Sequence, residues 1–239
     1  MSSKNIVLLH GWGASTAKLR PLGDDLETLG WQVLLPELPG FDASAPKIPW
    51  GVNEYADFVE GAITKRFGEN RNYIVFGHSF GGRIATALAA SPRSKMLKGI
   101  VLCSISGVSR PLGLKRGLFF MLAKFGKLFL LLPPLAQYWK KGLYKLVREH
   151  DYEKTEGVMK KIFVKVVNED LKPEILKVRK PVLILWGRFD KITPLRDAKY
   201  IEKTINNSKL VMYDDSHRLP YNKHLLLAEE ITKWYKSNF

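Results

Sequence analysis

The residues best placed for chemistry lie in Asn72–Ala90, NYIVFGHSFGGRIATALAA, where Ser79 stands at the centre of Gly77-His78-Ser79-Phe80-Gly81 and Gly82 follows. An apolar run precedes the motif and a run of small apolar residues comes after it. This order predicts a strand, a sharp turn and a buried helix. A serine at such a turn sits in a strained backbone conformation with its hydroxyl raised above the sheet. Glycines on either side let neighbouring backbones approach closely. The helix start aims N–H groups and the positive end of its dipole at negative charge developing beside the hydroxyl. This is equipment for nucleophilic attack on a carbonyl. A serine hydroxyl is a weak nucleophile at neutral pH and needs a base to take its proton. Five histidines are available. His10 belongs to the glycine turn His10-Gly11-Trp12-Gly13 and is expected to be structural. His78 adjoins the serine, with its side chain expected to point away. His150 lies in the charged run Arg148–Lys154 and is expected to be solvated. His217 and His224 remain as candidate bases.

The elements that must hold these residues follow from the apolar pattern. Strands are predicted at Asn5–Leu9, Trp31–Leu35, Asn72–Phe76, Gly99–Cys103, Val182–Trp186 and Lys209–Tyr213, each short, rich in aliphatic or aromatic residues and bounded by turn formers. Near-continuous apolar runs suit strands covered on both faces, as in a parallel sheet. Helices are predicted at Thr16–Leu29, at Asn53–Phe67 with Asn53 as its cap, and at Gly81–Ala90, Asp197–Ile205 and Lys223–Tyr235. Strand alternating with helix gives an α/β, doubly wound, mostly parallel sheet of about six strands. From about Gly107 to Asp170 the rhythm stops, with helical and irregular patterns and many aromatics. The expected organisation is a core of residues 1–106 and 171–239 with a helical cap, or lid, inserted at 107–170.

The elbow in this context resembles the α/β-hydrolase family, and the resemblance runs over essentially the whole chain. It implies a fold with Ser79 as nucleophile and, after the first strand, a His-Gly motif supplying a further oxyanion donor. By that resemblance the donors are the backbone N–H groups of Trp12 and Phe80, each able to stabilise a tetrahedral intermediate by roughly 3 kcal/mol. The family places its histidine on the loop after the last strand. That selects His217, in KLVMYDDSHRLPYNKH, over His224. The orienting acid follows a strand between serine and histidine, and Trp186–Pro194 carries the family-like W-G-x-x-D-x-x-x-P pattern with Asp190 as its aspartate. The rival position after the preceding strand reads VLCSISG and holds no carboxylate, while Asp214 and Asp215 are expected to be loop or surface carboxylates. A serine at 79 excludes relatives that attack with a carboxylate. The implied reaction is hydrolysis of a small-molecule carboxylic ester through an acyl-enzyme; lactones and thioesters pass through the same intermediate. No metal-ligand spacing and no phosphate-binding glycine-lysine loop is present, so no cofactor and no metal is expected.

The chain's 239 residues suit one domain with an insertion. The single cysteine, Cys103, lies in an apolar run, which excludes an internal disulfide and suggests a small core residue. Ile6–Leu9 is too short for a signal-peptide core, and Gly117–Ala136 is broken by Lys124, Lys127, Pro133 and Pro134. A soluble, cytoplasmic protein with no transmembrane segment is expected. The net charge of +15 invites acidic partners, yet no recognised nucleic-acid motif accompanies it and none is expected to bind. Between Gly107 and Arg148 there are nine lysines or arginines and no acidic residue, interleaved with Phe119, Phe120, Phe125, Phe129, Tyr138 and Trp139. Three readings stand side by side: a solvated basic face over an ordinary pocket, docking of an acidic carrier protein, and contact with an anionic membrane surface. The second follows from a resemblance to carboxylesterases of the pimeloyl-acyl-carrier-protein methyl ester type, which share an H-G-W-G motif and a His-x-x-Pro turn like His217-Arg218-Leu219-Pro220. A ligand-binding homologue without turnover is the non-enzymatic alternative. Such proteins often lose a triad member or an elbow glycine, and this chain keeps all of them.

Overall fold

A computed structural model of the chain describes residues 4–41, 43–92, 94–108 and 157–239. Six strands form one sheet: β1 (Lys4–Leu9), β2 (Trp31–Leu34), β3 (Tyr73–His78), β4 (Leu97–Cys103), β5 (Val182–Gly187) and β6 (Ser208–Tyr213). Their order is β2-β1-β3-β4-β5-β6, and every neighbouring pair is parallel. The helices are α1 (Thr16–Thr28), α2 (Val52–Phe67), α3 (Phe80–Ala90), α4 (Gly157–Asn168), α5 (Lys172–Ile175), α6 (Leu195–Thr204), α7 (Leu219–Asn222) and α8 (His224–Asn238).

The apolar runs are near-continuous because the sheet is sandwiched. Successive side chains of a strand point to opposite faces. On one face Ile6, Leu8, Ile74, Phe76, Val101, Cys103, Leu183 and Leu185 meet the apolar stripes of α1 and α8, including Leu22, Leu26 and Leu227. On the other, Val7, Leu9, Val75, Ile100, Ile184 and Trp186 pack on α2, α3 and α6. Cys103 is fully buried in this core, and burial pushes its thiol pKa up. The edge strand β6 is only part-covered, as its lower burial shows.

Several boundaries differ from the sequence expectation for physical reasons. β3 runs on to His78 because Gly77 and His78 continue the ladder against Leu102 and Cys103. The cap of α2 is Gly51, not Asn53; its amide donates to the Glu54 carboxylate at 2.7 Å. The expected last helix, Lys223–Tyr235, is α8 at His224–Asn238, and the short α7 precedes it in a segment where no helix was expected. Arg83 is the charged residue within the buried helix α3. It is 2% exposed, and its guanidinium donates to the carbonyls of Val166 and Glu169, where α4 ends. A cation there meets the negative end of the α4 dipole.

Of the expected insertion, α4 is described and carries no strand, while residues 109–156 lie outside the described residues. With them lie His150 and most of the basic, aromatic segment. Among the described residues no helix is long and apolar enough to cross a membrane.

Candidate active site

In the order β2-β1-β3, the chain leaves β1 in one direction and returns on its other side. A crevice therefore opens at the carboxyl ends of β1 and β3. The glycine turn after β1 and Ser79 after β3 lie at this crevice. Ser79 has φ 50° and ψ −108°, a left-handed conformation that costs a residue with a side chain of order 1–3 kcal/mol. It is held there because its amide donates to the Cys103 carbonyl at 3.1 Å and its own carbonyl accepts from Gly82 at 3.1 Å. The flanking glycines are required by contact. A Cβ on Gly77 would lie 2.4 Å from the Gly81 carbonyl oxygen, and one on Gly81 would lie 2.3 Å from that of Leu9. Backbone cannot move aside as a flexible side chain can. Gly81 also donates to the His10 carbonyl at 3.1 Å, tying the elbow to the turn after β1.

Asp190 follows β5 and His217 follows β6. His217 Nδ1 is 2.8 Å from Asp190 Oδ2, and the Asp190 side chain is fully buried. A carboxylate accepts, so Nδ1 carries the proton and Nε2 is left as a base. The remaining lone pairs of Asp190 are also used. Oδ1 accepts the amides of Ile192 and Thr193, each at 2.8 Å, and Oδ2 accepts the Thr193 hydroxyl at 2.7 Å. Burial pushes the Asp190 carboxyl up, but hydrogen bonding and charge from His217, with the Thr193 bonds, outweigh it and leave the pKa below its ordinary value. The two loops are set close together by Gly187, where a Cβ would lie 2.5 Å from the carbonyl oxygens of Asp215 and Ser216.

The five residues expected at the site all stand on the carboxyl edge of the sheet. Phe80 is the first residue of α3, so its amide is one that a helix leaves unbonded within itself. Trp12 lies in the turn after β1, its indole edge-on to Phe41 at 4.9 Å, Phe80 at 5.4 Å and Phe163 of α4 at 5.0 Å. Three rings from three segments thus immobilise the turn. His10 and His224 fall elsewhere. His10 is buried with Nδ1 2.8 Å from the Gly11 carbonyl, a structural position. His224 pairs with Asp25 across α1 and α8. Asp214 pairs with Arg188 at the surface, and Asp215 accepts from Ser216 and Asn222 within the loop. His78 is buried and does not turn away from the site: its ring centroid is 4.8 Å from that of His217. Thr193 and Tyr221 also escaped the sequence reading. Thr193 had a signal, since an aspartate commonly accepts from amides two and three residues on. Tyr221 had only its place four residues after His217. Among the described residues no cluster of metal-ligating side chains occurs.

A doubly wound parallel sheet with a strained serine between β3 and α3 defines the α/β hydrolase class. The family model for the alpha/beta hydrolase fold matches residues 4–149, and the chain belongs to that family. A pimeloyl-[acyl-carrier protein] methyl ester esterase of Neisseria meningitidis is 27% identical to it, covering 98% of this chain and 92% of the relative. A proline iminopeptidase of Saccharolobus solfataricus is 24% identical over 98% of this chain and 83% of its own. An esterase from Exiguobacterium antarcticum superposes with a TM-score of 0.73 at 19% identity, covering 98% of this chain and 92% of that one.

Proposed function

We propose that the protein is a carboxylic ester hydrolase acting through an acyl-enzyme on Ser79, with His217 as general base and Asp190 as its orienting acid. The observation that carries this reading is the 2.8 Å pair between His217 Nδ1 and the buried Asp190, on the loops after β5 and β6 at the same carboxyl edge of the sheet as a serine at φ 50°. Ser79 Oγ attacks the ester carbonyl while His217 Nε2 takes its proton. The amides of Trp12 and Phe80 receive the oxyanion. The intermediate collapses, and His217 returns the proton to the departing alcohol. Water then attacks the acyl-enzyme with His217 again as base, releasing the acid and restoring Ser79. Asp190 stabilises the imidazolium in both halves and keeps its own charge. The aromatic contact of Phe163 with Trp12 supports α4 acting as part of a cap over this edge of the sheet.

The test is the hydrolysis of p-nitrophenyl butyrate by the wild type and by Ser79→Ala. The expected result is a measurable wild-type rate that falls at least ~10³-fold in the variant. Equal activity in both would place the nucleophile elsewhere.

A narrower reading has its own support. The chain's similarity to pimeloyl-[acyl-carrier protein] methyl ester esterases and its nine basic residues between Gly107 and Arg148 favour an ester carried on an acidic carrier protein. Its mark is a kcat/KM for a carrier-linked methyl ester that exceeds that for the free ester and falls as salt rises. Equal values for the two substrates leave a general esterase.

A further inference from the structure

His78 ends β3, one residue before Ser79, and is 3% exposed. Its Nε2 lies 2.9 Å from the His217 carbonyl oxygen. A carbonyl only accepts, so Nε2 carries the ring proton and Nδ1 offers a lone pair. The Tyr221 hydroxyl donates to that lone pair at 3.2 Å. Both ring nitrogens are therefore spent on the segment that bears His217: one on the residue's own backbone, the other on α7 immediately after it. The ring is also packed close to the turn after β1: a Cβ placed on Gly11 would lie 3.1 Å from His78 Nδ1 and 3.2 Å from Ser79 Cβ.

We infer that His78 is a positioning residue which, with Tyr221, sets His217 over Ser79 by holding the backbone carbonyl of His217. The inference rests on the reading of Ser79, His217 and Asp190 given above. The bond to Asp190 fixes one edge of the imidazole but does not itself hold the backbone that carries the ring. An anchor at the His217 carbonyl holds that backbone, and it comes from the residue covalently joined to the nucleophile. The base is thus indexed to Ser79 along the shortest available route, and small misplacements of a base are costly in rate. The Nε2–H donates to the His217 carbonyl in either protonation state, whereas Nδ1 can accept from Tyr221 only while the ring is neutral. The groups facing it are His217, Asp190, His10 and Tyr221; burial first, then the neighbouring His217, push its pKa down to about 3. Burial likewise pushes the Tyr221 phenol up to about 12, which keeps it a donor.

The experiment measures kcat, KM and melting temperature on p-nitrophenyl butyrate for the wild type, Ser79→Ala, His78→Phe, His78→Gln and Tyr221→Phe. The phenyl ring preserves volume and loses both bonds; the glutamine amide nitrogen reaches the place of Nε2 and can donate to the same carbonyl. The expected result is a kcat lowered about 10–100-fold in His78→Phe with KM within about twofold, most of it recovered in His78→Gln. Tyr221→Phe should lose about threefold or more, with no further loss when added to His78→Phe. Two outcomes overturn the inference: a folded His78→Phe with kcat within about threefold of wild type, or His78→Phe and His78→Gln falling alike in step with melting temperature. If His78→Phe does not fold, Tyr221→Phe decides, and unchanged kcat there refutes the role. Activity surviving in Ser79→Ala would instead refute the reading of the triad on which the inference rests.

Discussion

Burial of a neutral imidazole makes the fold's stability depend on pH in a direction that can be worked out. His78 titrates at about 3 in the folded protein and near 6.5 when unfolded. The folded value is depressed, so below pH 6.5 the unfolded chain binds more protons and stability rises with pH. The contribution is fully present above about pH 6.5 and is lost as pH falls towards about 3. Between pH 7.5 and pH 5 the unfolded imidazole gains nearly one proton and the folded one almost none. The loss of stability from this residue is therefore roughly 2 kcal/mol. That figure depends little on the folded value, provided it lies well below 5. The perturbation is the pH change applied to wild type and to His78→Gln, which has no imidazole to charge at that position. Urea denaturation followed by fluorescence is the assay. With a slope of about 2–3 kcal/mol per molar urea, the wild-type midpoint should fall about 0.7–1 M further than that of the variant. Parallel loss in the two proteins would refute the reasoning, since it would mean that His78 accepts a proton in the folded state as readily as in the unfolded one.

Two further substitutions probe the surroundings of the site. Thr193→Val removes the hydroxyl that donates to Asp190 Oδ2 at 2.7 Å and leaves the two amides in place. With one partner fewer the Asp190 carboxylate should hold the His217 imidazole less firmly, so that kcat/KM near neutrality drops about 3–10-fold, as read by steady-state hydrolysis of p-nitrophenyl butyrate. Arg83→Met strips the donor from the carbonyls of Val166 and Glu169 while keeping most of the volume. The Val166 carbonyl keeps the Glu169 amide at 3.3 Å while the Glu169 carbonyl loses the guanidinium, which should cost roughly 1–3 kcal/mol, visible as a lower urea midpoint. An unchanged midpoint would mean that α4 does not depend on this clamp.

The candidate site was largely legible because each of its parts is a local event. Ser79 follows a strand and begins a helix, and glycines are the only residues that fit around it. Asp190 and His217 each sit on the first loop after a strong strand. Local sequence supplies such signals, since hydrophobic period and turn residues act within a few positions. The choice of His217 over His224 came from resemblance; in the fold His217 pairs with Asp190. His224 is seven residues on, yet it faces Asp25 on the opposite side of the sheet from α2 and α3.

What the sequence determined by itself is the alternating α/β order, the two-sided burial of the strands and the serine, aspartate and histidine at their carboxyl ends. Tertiary structure alone decided the partners of His78, the charge of Asp190 and the place of Arg83. Each depends on bonds between residues far apart in the chain: His78 with His217 and Tyr221, Asp190 with His217, Arg83 with Val166 and Glu169. Such bonds leave no periodic trace, because a polar side chain's role is set by what the closed fold brings within 3 Å of it and by how much water is excluded there.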